Sequence, residues 1–158
     1  MSGIVEGVAG HAIWDFIRTK ARNATGRHIQ ITNPRPGETL TAGEPLGQGL
    51  CFPIRGNLKH LPAGQEIWLL TEDESTGLLW PQGFFGVQYD AHQGTWLGKI
   101  NGSGKKHVKI HAVVAPSTSQ DLFRYFQKVG RLRNYQFEPL ARIPPECRNR
   151  TYVQAALP

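Results

Sequence analysis

The sequence predicts a mostly β protein: an antiparallel two-layer sandwich of about seven strands, with an N-terminal amphipathic helix and one helix before the last strand. Three observations carry this. From His28 onward most apolar residues alternate with polar ones, the period of a strand with one buried face. The 18 glycines and 11 prolines are scattered, which suits many short strands joined by turns. Apolar residues recur at three- and four-residue spacing in only two stretches, 3–20 and 117–130.

The first helical stretch carries Ile4, Val5, Val8, Ala12, Ile13, Phe16 and Ile17 on one stripe. Glu6, His11, Asp15 and Arg18 fall mostly off it, and Trp14 sits beside it. The basic run "TKARNATGRH" follows, with Gly26 as a helix stop or linker residue. The chain thus divides into an N-terminal amphipathic helix and basic linker, 1–27, and a sandwich, 28–158.

"HIQIT" reads as the first strand and "NPRPGETL" as a Pro/Gly turn. "PLGQGLCFPIRG" is a strand whose Pro53 suggests an edge or a bulge. "QEIWLLTED" is the strongest strand signal. Ile67, Leu69 and Thr71 share one face and Trp68, Leu70 and Glu72 the other, so both faces are covered, or a helix rests on the second. "FFGVQYD", the turn "AHQG" and "TWLGKI" continue the pattern. "NGSGKK" reads as a tight hairpin turn, and "HVKIHAVVA" alternates before becoming wholly apolar. In "STSQDLFRYFQKVG", Ser117 or Ser119 caps a helix with the stripe Leu122, Phe123, Phe126 and Val129, and Gly130 stops it. "RLRNYQFEPLARIPPECRN" is a long irregular loop, and "RTYVQAAL" is the closing strand.

A chain of 158 residues fits one domain able to bury about two-thirds of its unfolded surface without a disulfide or metal staple. With 39 % hydrophobic and 19 % charged residues it is globular. Cys51, in "GLCFPI", reads as a buried thiol. Cys147 is far from it and neither lies in a ligand-like pair. The start "MSGIVEGVAG" has no basic n-region, and no apolar run reaches the roughly 20 residues that span a bilayer. The expectation is a cytoplasmic protein, with peripheral membrane attachment through the helix as a variant. In that compartment the sequons at Asn23, Asn101 and Asn149 carry nothing. The net charge of +6 favours an anionic partner, nucleic acid or a lipid surface, and equally serves plain solubility.

Catalytic and metal motifs fail on spacing. "GSGKK" (102–106) has Lys99 where a phosphate loop needs its first glycine, and Lys106 where it needs Ser or Thr. His107 and His111 lie about 13 Å apart along a strand, too far for one zinc ion, and read as a solvent-facing pair. Glu72, Asp73 and Glu74 sit adjacent in "TEDES" and read as a solvated loop, where catalytic carboxylates come from separate elements. No Gly-x-Ser-x-Gly elbow occurs. The aromatics between 68 and 96 divide: Trp68 and Trp96 belong to the core between the layers, while Trp80, with Gln82, is the ligand-facing candidate.

"IQITNPRPGETL", "GQGLCFPIRG", "EIWLLTED", "GLLWPQG", "GTWLGKI" and "VKIHAVVA", in this order, resemble the bacterial immunoglobulin-like β-sandwich modules of uncharacterised function, over about residues 28–157. The segment "LFRYFQKVG", then "LARIPPE" and a last strand, is similar to a variant that sits beside a membrane or signalling segment. The resemblance implies fold and, by analogy, binding or assembly. It supplies no catalytic residue, cofactor or metal ligand, and the antibody-type cysteine pair is absent.

The functional expectation is therefore a non-enzymatic interaction or assembly module. The sandwich is its binding or sensor part. The stripe Ile4, Val5, Val8, Ile13, Phe16 and Ile17 folds back onto the sandwich, oligomerises, contacts a protein partner or lies on a membrane surface. The alternatives are a basic nucleic-acid-binding protein contacting anions through Lys105, Lys106, Arg131 and Arg133, with weak sequence-insensitive affinity, a membrane-surface-associated effector, and a hydrolase with an unrecognised site.

Overall fold

A computed structural model describes residues 26–41, 43–46, 49–82, 86–102, 106–134 and 139–158. The amphipathic stripe of residues 3–20 and Lys105 lie outside the described residues. Among those described are nine strands and one helix: β1 (Gln30–Asn33), β2 (Glu44–Leu46), β3 (Gly49–Asn57), β4 (Glu66–Glu72), β5 (Leu79–Pro81), β6 (Gln88–Asp90), β7 (Thr95–Gly102), β8 (His107–Ala115), α1 (Ser117–Leu132) and β9 (Arg150–Ala156). The expectation of about seven strands missed two of the three-residue strands, which are too short to show a period.

All strand pairings are antiparallel. The first sheet has the order β1-β3-β7-β6, with β2 also paired to β3; the second has the order β5-β4-β8-β9. The sheets pack face to face through Phe52, Ile54, Trp96 and Ile100 from the first and Ile67, Leu69, Ile110, Ala112, Val114 and Val153 from the second. A second core lies on the far side of the second sheet. There Trp68, Leu70, Leu79, Val113 and Ala115 meet Phe123 of α1 with Leu140 and Cys147 of the following loop. The second sheet is thus a middle layer, which explains why β4 is apolar on both faces. It also explains the change within β8, which alternates through Ile110 and is buried on both faces from His111 onward.

Several expectations change in detail. Trp68 is buried, but between the second sheet and α1: its ring centroid lies 5.3 Å from that of Phe123, and its Nε1 donates to Glu66 at 3.1 Å. Trp96 does lie between the sheets, its indole occupying the space a side chain on Gly56 would need. β7 and β8, on either side of "NGSGKK", belong to different sheets, so they do not form the expected hairpin; residues 103–105 lie outside the described residues. α1 continues through Gly130, which is buried in its last turn, to Leu132. Its N-cap is Pro116 with no side-chain cap. Ser119 instead donates its hydroxyl to Glu146 Oε1 at 2.8 Å, tying the helix to the loop after it. The Gln120 amide donates to the carbonyls of Ala115 and Gly64, fixing the helix start to the end of β8 and the approach to β4.

The outer edges of the second sheet are occupied. Leu79 of β5 exchanges two backbone hydrogen bonds with Leu140. The end of β9 pairs with residues 37–40. Asn149 closes the fold near its start: Oδ1 accepts from Ile29 N, Nδ2 donates to Arg27 O, and its backbone carbonyl accepts from Val114 N.

Trp68→Ala removes the ring contact of β4 with Phe123 of α1 and should cost about 3–5 kcal/mol in urea unfolding. In a double-mutant cycle, Trp68→Ala and Phe123→Ala should show a coupling of about 0.5–1.5 kcal/mol. Additive losses would mean that the two rings do not stabilise one another.

Candidate functional site

The helix side of the second sheet gathers most of the unusual surface. Along α1, Arg124, Lys128 and Arg131 follow one another at i, i+4 and i+7 and so lie on one face, with Tyr125 and Leu132 in the adjacent row. Phe123 and Gly130 occupy the opposite, buried face. Tyr125 is 59 % exposed and Leu132 76 %. Arg124 is held by Glu66 at 2.6 Å and approaches Asp121 at 3.8 Å. The segment 117–158 holds seven Arg or Lys residues, all exposed, against three Asp or Glu residues. Arg131 and Arg133, proposed from sequence as anion contacts, stand here: Arg131 in the last turn and Arg133 as C-cap. Lys106 is exposed beside the start of β8, on a different element.

Where the helix cover ends, the outer face of the second sheet turns polar. Glu72 of β4, Lys109 and His111 of β8, and Tyr152 of β9 form one cluster. Lys109 Nζ lies 3.3 Å from Glu72 Oε2 and 4.2 Å from the centre of the Tyr152 ring. His111 Nε2 lies 3.4 Å from Glu72 Oε1, and its ring stacks obliquely on Tyr152. His111 is only 7 % exposed, which corrects its reading as half of a solvent-facing pair; His107, at the strand's start, is exposed. Registry explains the difference. His111 pairs with Leu70 and Tyr152, neighbours large enough to cover it, whereas His107 pairs with Ala156.

Burial holds the His111 imidazole below its ordinary value of 6.5, and Lys109 and Arg150 act in the same direction, outweighing the attraction of Glu72. The 3.4 Å approach to Glu72 is an ion-pair distance without a well-directed hydrogen bond, since Nε2 has no hydrogen-bond partner among the described residues. That geometry agrees with a neutral ring. Glu72 is also not part of a solvated loop, as "TEDES" suggested: it ends β4 and is paired. Asp73 Oδ1 accepts from the backbone N–H and the hydroxyl of Ser75, shaping the β4–β5 turn, and Glu74 is exposed.

The aromatic candidate behaves differently from its reading as a loop residue. Trp80 lies in β5 opposite Thr71 and is half-buried. The Gln82 amide is engaged inside the protein: Nε2 donates to Thr71 Oγ1 and, at 3.4 Å, to the Trp80 carbonyl, while Oε1 accepts from Asn101 N. Gln82 therefore joins the two sheets near their edge. Sequence reasoning did not find this bridge, and a lone Gln after a Pro gives no signal for it.

Both cysteines are buried free thiols, Cys51 in β3 and Cys147 after α1. Burial pushes the Cys147 thiol up, away from the reactive thiolate form. The Glu146 carboxyl is held low by hydrogen bonding to its own backbone N–H and then to the Ser119 hydroxyl. Among the described residues no group of three or more His, Cys, Asp or Glu side chains is placed to hold a metal ion, and no helix is long and apolar enough to cross a membrane. No protein-family model matches the chain, and no curated protein matches it in sequence.

The second polar surface is the outer face of the first sheet. Arg55, Asn57, Thr95, Leu97, Gln88 and Thr32 line an open groove of about 700 Å³ there.

The lowered His111 value gives a pH dependence with a defined sign. The unfolded chain takes up this proton near 6.5 and the folded one only at lower pH, so the neutral ring's contribution is complete above about 6.5. It is lost as pH falls from there through the folded value. The urea midpoint should drop as pH falls below about 6.5, and His111→Phe should flatten that drop. An unchanged slope in the variant would assign the proton uptake elsewhere.

Proposed function

We propose that this protein is a non-enzymatic interaction module that docks an acidic protein partner on the helix side of its second sheet. The observation that carries the reading is the solvent face of α1. Arg124, Lys128 and Arg131 form one row, Tyr125 and the 76 % exposed Leu132 the next, on a helix anchored from behind by Phe123. Tyrosine and arginine are the residues that dominate protein interfaces, and a rigid element presents them without loss of loop entropy. An excess of exposed cations disfavours pairing of this face with its own copy and favours an acidic partner. The polar cluster of Glu72, Lys109 and His111 supports binding over chemistry, because its charges pair with one another.

In this reading the sandwich is an immunoglobulin-like module, supported by its two facing antiparallel sheets. The apolar row Ile4, Val5, Val8, Ile13, Phe16 and Ile17 is the assembly or anchoring element, supported by its sequence spacing. A second reading, nucleic-acid binding through Arg131, Arg133 and Lys106, draws on these exposed cations and on the exposed rings of Tyr125 and Tyr152.

The test uses the full chain and two fluorescent probes, labelled poly-L-glutamate and a 20-nucleotide single-stranded DNA, read by anisotropy at rising salt. Polyglutamate should bind at low salt, and Lys128→Glu with Arg131→Glu should weaken it at least about tenfold. Nanomolar DNA binding at physiological salt, lost in the same variant, would replace the protein-partner reading with the nucleic-acid one.

For the N-terminal segment, Ile13→Asp with Phe16→Asp should lower the mass seen by light scattering, or release the protein from anionic vesicles, while the melting temperature stays within a few degrees. Global unfolding of this variant would make the segment part of the core.

A further inference from the structure

The outer face of the first sheet carries a site that the docking reading does not use. Sheet registry sets its layout. Arg55 of β3 pairs with Leu97 of β7, which pairs with Gln88 of β6. One row along, Asn57 pairs with Thr95, which pairs with Asp90. Thr32 of β1 flanks Arg55 on the other side, beside the irregularity where Asn33 pairs with it. These side chains alternate with the core residues Ile54 and Trp96, so they project to the outside and line the groove of about 700 Å³.

The chemistry of the lining is lopsided. Arg55 is always cationic, presents five N–H donors in a planar fork, and has no carboxylate partner among the described residues. The one acidic residue of the groove, Asp90, lies two strands and one row away. Its Oδ1 accepts from the backbone N–H groups of His92 and Gln93, which fixes the β6–β7 turn. Between them the amides of Asn57 and Gln88 and the hydroxyls of Thr32 and Thr95 add donors at fixed strand positions. A concave surface with one unpaired guanidinium ringed by neutral donors matches an oxyanion.

We propose that this groove binds a small ligand through a carboxylate or phosphate group, held by Arg55 in a bidentate pair and oriented by Asn57, Gln88, Thr32 and Thr95. The strands make the site rigid before binding, so little ordering cost opposes it. Leu97 provides an apolar floor beside Arg55 for the ligand's uncharged part.

The experiment is amide-resolved NMR titration of the full chain with sodium phosphate and, separately, sodium acetate, each against sodium chloride at equal ionic strength. At least one oxyanion should give saturating shifts, with millimolar Kd, confined to Thr32, Arg55, Asn57, Gln88, Thr95 and Leu97. Saturation by phosphate alone identifies a phosphate-bearing ligand, and by acetate alone a carboxylate. Arg55→Gln should weaken binding at least about tenfold, and Arg55→Lys, which keeps the charge and loses the fork, by a smaller factor. Arg55 is exposed, so the spectrum of each variant away from the groove should stay that of the parent. No saturation with either anion, shifts centred on α1, or undiminished binding in Arg55→Gln would overturn the proposal.

Discussion

The second sheet is a middle layer, and the rest of the molecule follows from the need to cover both of its faces. β4 and β8 present Ile67, Leu69, Ile110 and Val114 to the first sheet and Trp68, Leu70, Val113 and Ala115 to the other side. A strand with two apolar faces is stable only between two covers. The first sheet provides one. α1 and the loop through Leu140 and Cys147 provide the other. Their anchoring is specific: Gln120 ties the helix start to Ala115 and Gly64, Ser119 ties it to Glu146, and Leu140 extends the sheet beyond β5. The cover is shorter than the sheet, and where it ends β4 and β8 change from apolar to Glu72, Lys109 and His111.

The two sheets therefore have different obligations. The outward positions packed beneath α1, Trp68, Leu70, Val113 and Ala115, are apolar, whereas the outward positions of the first sheet are not covered by α1. Strict alternation along β3, Phe52 and Ile54 inward with Pro53 and Arg55 outward, turns that freedom into a polar groove. Trp96 completes the inner side by lying where Gly56 has no side chain; a Cβ there would stand 2.0 Å from the Gln30 carbonyl. The glycine thus admits the Trp96 indole and lets β1 come close to β3.

Much of this was legible in the sequence because it is local and periodic. The two-faced apolarity of "EIWLLTE" announced a doubly covered strand, and the stripe Leu122, Phe123, Phe126 announced the helix that covers it. What stayed hidden depends on partners distant along the chain. The turn chemistry of "NGSGKK" shows that the chain reverses, but not that it passes into the other sheet. Ser119 looks like a cap until Glu146, 27 residues later, takes its hydroxyl. His111 looks solvent-facing until strand pairing sets Leu70 and Tyr152 beside it. Gln82 looks free until Thr71 and Asn101 engage it. The groove left no sequence signature at all, since its lining residues come from four strands and only registry aligns them. The basic residues near α1 were visible, but Arg131 and Arg133 were grouped with Lys105 and Lys106 by charge alone, and Lys106 stands on another element.

The layered order also places the two polar surfaces on opposite sides of the molecule. Facing sheets sit about 10 Å apart, and a helix packs about 10 Å above a layer beneath it, so the groove and the solvent face of α1 are separated by at least about 20 Å of packed core. That exceeds twice the Debye length of about 8 Å at physiological ionic strength, so charge arriving at one surface is screened from the other. The intervening side chains, from Phe52 through Leu69 to Trp68 and Phe123, belong to two close-packed cores, which resist small displacements. A ligand bound at one of the two proposed surfaces would thus leave the other accessible. If both proposed surfaces bind, energetic coupling between them would require an element with two arrangements. His111, at the end of the helix cover, is buried, and that burial holds its imidazole below the ordinary value of 6.5. It lies on the α1 side of the second sheet, against Glu72 and Tyr152, and is not part of the groove lining.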